Sequence, residues 1–295
     1  MALGAQDPSP TALLLGRMIR TKEHLDRVLA AVNGKADAIT KIAIARLKRV
    51  LDARPLNPTC LDAQLSAINA LSIMHLHPLR HAFLGANIIW HATSALGPIS
   101  TDMATSHDPM FLDAMSTAFL IVYNHLDSTD GFTWVSQAVG AGLLTYFADC
   151  SQYFSRLHPI DLERVLLLIQ RKLPPYTVYR SVLEAMEASM SRINEGPKRR
   201  KIMSSPAKDA WLVFEKLYNV RTAYLNHSQS IDGRLRGCDN IKVRVPRPLL
   251  DEVCLNRLKV SEEGRQGRGT EVLGMSHYIL LLQGLARHPC SRSLL

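Results

Sequence analysis

The chain has 295 residues, 47% of them hydrophobic and 21% charged, a balance that excludes an extended disordered protein and suits one with a buried core. Its formal charge of +9 is unevenly placed: residues 1–194 carry 17 basic and 16 acidic side chains, whereas residues 195–295 carry 18 and 10. No apolar run approaches the ~20 residues of a membrane span, and five scattered cysteines argue against a disulfide framework.

Residues 1–20 hold an apolar patch too short for a secretory signal, with Asp7 ahead of it, and read as a flexible N-terminus. Together with the unpaired cysteines this predicts an intracellular protein of cytoplasm or nucleus, with no membrane partner.

Residues 21–53 open on Thr21, an N-cap residue, with Glu23 in the first turn where the helix dipole favours it. Leu25, Val28, Leu29 and Val32 recur at helical spacing, Gly34 interrupts, and Ile39, Ile42, Ile44, Leu47 and Val50 continue the pattern to Pro55 and Pro58. A helix is predicted from Leu61 to Met74, ended by His77-Pro78, because a residue preceding proline is pushed out of the α region. Arg80 to Leu96 follows, closed by Gly97-Pro98. Asp108-Pro109 is a strong start, an acceptor at the cap and then a proline whose missing N–H costs nothing. The helix it opens, to about Leu126, is apolar on most sides and is expected at the centre.

Gly131 to about Phe154 reads as one long helix, with Val135, Val139, Leu143 and Phe147 on one side and Gly140 and Gly142 as points of close packing or bending. His158-Pro159 to Leu173, Tyr176 to Ile193, and Pro206 to His227 complete the series. The last carries a stripe of Trp211, Phe214, Leu217 and Val220. With about nine helices, short Pro/Gly breaks and no period-two alternation, the fold is all-α. The expected architecture over residues 21–230 is an irregular armadillo- or HEAT-like helical array, without a clean sequence repeat.

Chemistry is sparse. His24, His75, His77, His81, His91, His107 and His125 lie in the first half, and His77 and His81 have helical metal-pair spacing, but Pro78 separates them and no H-E-x-x-H pattern occurs. They read as caps or partly buried residues. Cys60 and Cys150 sit in apolar patterns and read as packing residues. No nucleophile elbow, P-loop or dinucleotide-binding pattern is found, so no catalytic residue and no enzyme are predicted. Lys198, Arg199, Arg200 and Lys201 form a basic cluster, expected in a loop after Pro197, of a kind that can contact phosphate or serve in nuclear import.

Trp211-Leu-Val-Phe214, then Arg236-Gly-Cys238-Asp-Asn240-Ile-Lys242, together with Gly131-Phe-Thr-Trp134 and Pro174-Pro-Tyr176-x-Val178-Tyr-Arg180, resemble a group of basidiomycete MYND-type zinc-finger proteins over residues 35–242. The resemblance implies a helical region running into a zinc finger opened by Cys-Asp-Asn. It implies Zn²⁺ as cofactor and short, often proline-containing peptides as partners. Structural zinc needs four close ligands per site, and a MYND finger needs two sites. Only Cys238 matches: Val243 stands where the next cysteine falls, and Cys254, His277, His288 and Cys290 are too few and too far apart. The finger is therefore read as truncated or replaced, Cys238 as its remnant, and no cofactor is expected in this chain. Residues 231–295 are expected to form a degenerate finger start and an irregular basic tail. The function expected is a non-enzymatic helical scaffold for a protein partner; the alternative is a nucleic-acid-binding protein using the basic segment 195–295.

Overall fold

The computed structural model describes residues 12, 18–19, 21–106, 108–127 and 132–231. The chain divides into two units after Lys242, and every described residue belongs to the first. Among the described residues the fold is all-α, with twelve α-helices and no strand.

The helices follow one another as α1 (Lys22–Ala30), α2 (Ala36–Asp52) and α3 (Pro58–Ser72), then α4 (Pro78–Gly85), α5 (Ile88–Asp102) and α6 (Met110–Asp127). Next come α7 (Phe132–Gly140), α8 (Leu143–Cys150) and α9 (Pro159–Leu167), then α10 (Arg180–Asn194), α11 (Pro197–Met203) and α12 (Lys208–Ile231). A 3₁₀ turn, Ser151–Arg156, follows α8; a π-helical turn, Leu168–Lys172, and a second 3₁₀ turn, Pro174–Val178, follow α9. Taken in triplets along the chain, six pairs of helices three places apart pack together: α2 on α5, α3 on α6, α5 on α8, α6 on α9, α7 on α10 and α8 on α11. Second members of the triplets begin at Ala36, Ile88, Leu143 and Pro197, and third members at Pro58, Met110, Pro159 and Lys208. Successive starts in each of these two series thus lie roughly 50 residues apart.

Local chemistry sets the starts. Asn57, His77, Asp108 and His158 each precede a proline and each accept a backbone N–H with the side chain: Asn57 from Cys60 at 3.0 Å, His77 from Leu79 at 3.2 Å, Asp108 from Met110 at 2.9 Å and His158 from Ile160 at 3.4 Å. Pro58 therefore opens α3 rather than closing the helix before it. Two predicted helices are each broken in two. Arg80 to Leu96 divides at Asn87, whose φ of 60° is left-handed, and the following helix runs through Gly97-Pro98 to Asp102. Gly131 to Phe154 divides at Gly142, φ 98°, a conformation that glycine adopts without the Cβ penalty. Tyr146 lies against this turn and against Gly97 of α5; a Cβ at either glycine would stand 3.0 Å from its ring.

The core runs through the third members of the triplets. Helix α6 packs on α3, α5, α7, α9 and the π turn, as its nearly all-round apolar sequence predicts. Phe119 of α6 meets Phe147 of α8 and Phe154 edge-on, at 6.2 and 5.9 Å between ring centroids, and Phe147 stacks on Trp211 of α12 at 6.1 Å. The stripe of α12 differs from the predicted one: Trp211 and Phe214 are buried with Tyr218 and Leu225, whereas Val220 faces solvent.

Helices α3 and α6 run parallel. Thr117 Oγ1 donates to Asp62 Oδ1 at 3.0 Å and Asn124 Nδ2 donates to Asn69 Oδ1 at 3.1 Å, and both pairs are 55 residues apart in sequence. Their C-terminal ends therefore lie side by side, bringing together two sets of carbonyls that no later turn can satisfy. Arg80, 1% exposed, fills this position. Its guanidinium donates to the carbonyls of Ser72 at 2.8 Å and Ile73 at 3.3 Å at the end of α3, and to that of Asn124 in the last turn of α6. The negative ends of two helix dipoles thus surround a buried cation. Arg80→Met is expected to lower stability by about 2–4 kcal/mol, because the methionine fills space but leaves these carbonyls unsatisfied; the urea midpoint measures this. A change below ~0.5 kcal/mol would show that the carbonyls find other partners.

Candidate functional site

The basic cluster is helical, not a loop: Lys198, Arg199, Arg200 and Lys201 all lie in α11, which starts on Pro197. Helical geometry puts Lys198 and Lys201 on one side, and both reach Asp149 of α8, Lys198 on Oδ2 and Lys201 on Oδ1 at 3.7 Å. Arg199 donates to Glu215 of α12, and to Asn194 Oδ1 of α10 at 3.0 Å. The hydrogen bond to Glu215 raises its already high pKa further. Arg200 is exposed. Three of the four cations thus fasten α11 to its neighbours, and the cluster acts first as a structural clasp. Cys238, the predicted zinc-finger remnant, lies outside the described residues, as does the rest of the basic segment beyond Ile231.

His77, His125 and His158 serve the fold, and His107 lies outside the described residues. Both ring nitrogens of His77 are engaged: Nδ1 accepts the Leu79 N–H, so Nε2 carries the proton and faces Asp26 Oδ1 at 3.2 Å, tying α1 to the start of α4. Its sequence partner His81 is exposed. His125 is buried in α6 with Nδ1 2.7 Å from the Ile121 carbonyl, and burial, with the nearby charge of Arg80, pulls its pKa down to about 3. Cys60 and Cys150 are buried, and burial holds the Cys150 thiol far above the ordinary range, opposite to what a zinc ligand requires. No group of three or more His, Cys, Asp or Glu able to hold a metal ion occurs among the described residues. Likewise, no described helix is long and apolar enough to cross a membrane.

The arrangement that stands out is a polar strip on the third helices. From Cys60 to Ser72 every residue of α3 is buried except Asp62, Ser66 and Asn69, which follow one another by four and three positions and so share a face. Beside them on α6 lie Asp113, Thr117 and Asn124, and on α9 Asp161. Besides Thr117, Ser66 Oγ approaches the Asp62 carboxylate, at 3.5 Å. Burial raises the pKa of Asp62, with a further push from Asp113; Asp113 is raised by burial and then by Asp161. One line of carboxylates thus crosses three helices. These residues escaped sequence reasoning; their signal was the pair of polar positions in α3 matched 55 residues later in α6.

A shallow, open cavity of about 450 Å³ lies between α5 and α8, lined by Arg54, Gly97, Pro98, Ser100, Thr101, Asp102, Tyr146 and Asp149. Its Asp149 is already occupied by Lys198 and Lys201. The two sequence stretches near Gly131 and Pro174 meet in space: Phe132 stacks on Tyr179 at 5.1 Å. Comparison with family models, curated proteins and solved structures gives no match to this chain.

The buried imidazole makes a pH prediction. The folded chain keeps His125 neutral down to about pH 3, whereas an unfolded chain protonates it near 6.5. Between those values the unfolded state binds the extra proton, so stability falls as pH falls, by about 1.4 kcal/mol per unit. His91, also lowered by burial, adds in the same direction, while Asp62 and Asp113 act oppositely and only as the carboxylate range is approached. His125→Gln is expected to shrink the stability difference between pH 7 and pH 5 by about 2 kcal/mol in urea titrations. An unchanged difference would contradict the neutral, buried ring.

Proposed function

We propose that residues 21–230 form a non-enzymatic, armadillo- or HEAT-like scaffold that holds a protein partner on the face shared by α3, α6 and α9. The observation that carries this reading is the polar strip itself. Parallel third helices, keyed by Asp62–Thr117 and Asn69–Asn124 at one constant offset, present a continuous row of side chains rather than an enclosed pocket. Successive units stacked in register are how helical-repeat proteins build extended binding surfaces. The Trp211-to-Phe214 helix and the Phe132–Tyr179 contact are compatible with descent from the MYND-type group, with its zinc binding lost after Cys238. The nucleic-acid reading is the weaker one, because Lys198, Arg199 and Lys201 are already paired with Asp149 and Glu215.

The test is quantitative affinity capture with the full chain and with Asp113→Lys/Asp161→Lys, two substitutions at the solvent face. Proteins enriched by the native chain are expected to be lost, about tenfold or more, from a variant of unchanged melting temperature, because like charges placed against a complementary surface cost over 1 kcal/mol. An unchanged capture profile would remove this face as the binding surface. Captured material that is mostly nucleic acid, released between about 50 and 200 mM salt, would favour the alternative. Elemental analysis of the same preparation is expected to find no zinc, and two zinc ions per chain would overturn the loss of the finger.

A further inference from the structure

The outer face of α12 carries apolar side chains that nothing in the fold requires. Trp211, Phe214 and Tyr218 point into the core, yet Val213 is 52%, Val220 43% and Leu212 38% exposed, and Leu217 and Tyr224 are half-buried between the two sides. Val213, Leu217, Val220 and Tyr224 follow one another at intervals of four, three and four. That alternation keeps a seam on one side of a helix and is the spacing that accepts a second helix. Helix α12 is the longest among the described residues, at 24 residues.

Charge selects the occupant. Lys216 and Arg221 flank the seam, one on each side, and no described carboxylate forms an ion pair with either. Arg221 is half-buried, and burial lowers its pKa, opposed only by the phenol of Tyr224. A second copy of the same helix laid antiparallel about the middle of the seam would bring Lys216 near the Lys216 of the copy and Arg221 near its Arg221, which is repulsive. A helix with an apolar seam and glutamates or aspartates beside it would satisfy both cations and cover the valines together.

We propose that the outer face of α12 is a docking site for an amphipathic helix of a partner protein, seated on Val213, Leu217, Val220 and Tyr224 and flanked by acidic residues that pair with Lys216 and Arg221. The proposal rests on the scaffold reading but uses a different surface from the α3–α6–α9 strip, so the two fail separately.

The probes are two synthetic helical peptides of about 21 residues, three heptads with leucine at the seam positions, one with glutamate at the flanking positions and one with lysine. Binding to the full chain is read by fluorescence anisotropy at about 150 mM salt, where exposed charges further apart than ~8 Å are screened. The glutamate peptide is expected to bind at least tenfold more tightly than the lysine peptide. Val213→Asp/Val220→Asp is expected to reduce that binding at least tenfold with far-UV circular dichroism unchanged, since both side chains face solvent. Arg221→Gln is expected to shrink the preference between the peptides while leaving the chain folded. Equal affinity for the two peptides, or binding untouched by the valine substitutions, overturns the proposal. So does a dimer in sedimentation equilibrium that the same valine substitutions dissolve, because it would make the occupant a second copy of this chain. None of these outcomes bears on capture through Asp113 and Asp161, which tests the scaffold reading alone.

Discussion

A single buried cation, Arg80, sits where α3 and α6 end together. Burying a guanidinium costs several kcal/mol unless its donors are met, and helix C-termini bring carbonyls that are equally costly to bury unmet. Arg80 resolves both costs at once, donating to Ser72, Ile73 and Asn124. The consequence reaches further than local stability. Because the carbonyls belong to both α3 and α6, the arginine fixes where the two helices end relative to each other, and so the register of everything along them. Its charge also helps keep His125 neutral one turn away in the core.

From that register follows the order of the rest. With α3 and α6 parallel, the chain between them must travel back, and α4 and α5 make the return. The same geometry recurs as α6 packs on α9, and α7 and α8 fill the intervening positions. Phe119, Phe147, Phe154 and Trp211 then join α6, α8 and α12 through ring contacts of the edge-on and offset kinds that aromatic quadrupoles favour. The clasp of Asp149 on Lys198 and Lys201 secures α11, the shortest helix, whose seven residues bury Ile202 alone. The polar strip and the exposed seam of α12 are what remains on the outside once these requirements are met.

The all-α class and the central place of α6 were legible, because both depend on apolar periodicity and on capped starts such as Asp108-Pro109, which act locally. The breaks at Asn87 and Gly142 were less so. An asparagine in the left-handed region looks, in sequence, like any polar residue on a helix surface, and Gly97-Pro98 looked like an end although α5 runs through it. The pairing of α3 with α6 was hidden for a different reason: it is held by single contacts such as Asp62–Thr117 and by Arg80, and such contacts constrain few positions in the sequence. Composition marked the Lys198–Lys201 cluster as a charged loop, but its charges are spent on Asp149 and Glu215, partners 49 and 16 residues away for Lys198 and Arg199. Long-range pairing of that kind leaves no local pattern to read. Cys238 rests on resemblance alone.

The parallel register of α3 and α6 is the claim on which the rest stands, and cysteine trapping tests it directly. In a chain whose native cysteines are replaced, Asn69→Cys/Asn124→Cys places two thiols where side chains already touch, while Asp62→Cys/Asn124→Cys places them about two helical turns apart, near 10 Å along the axis. A disulfide needs Cα atoms within about 7 Å. Under mild oxidation the first pair is predicted to close to a disulfide, seen as the loss of free thiols, and the second to stay reduced. Closure of the second pair in preference to the first would mean that the helices run antiparallel or two turns out of this register, and would contradict the account.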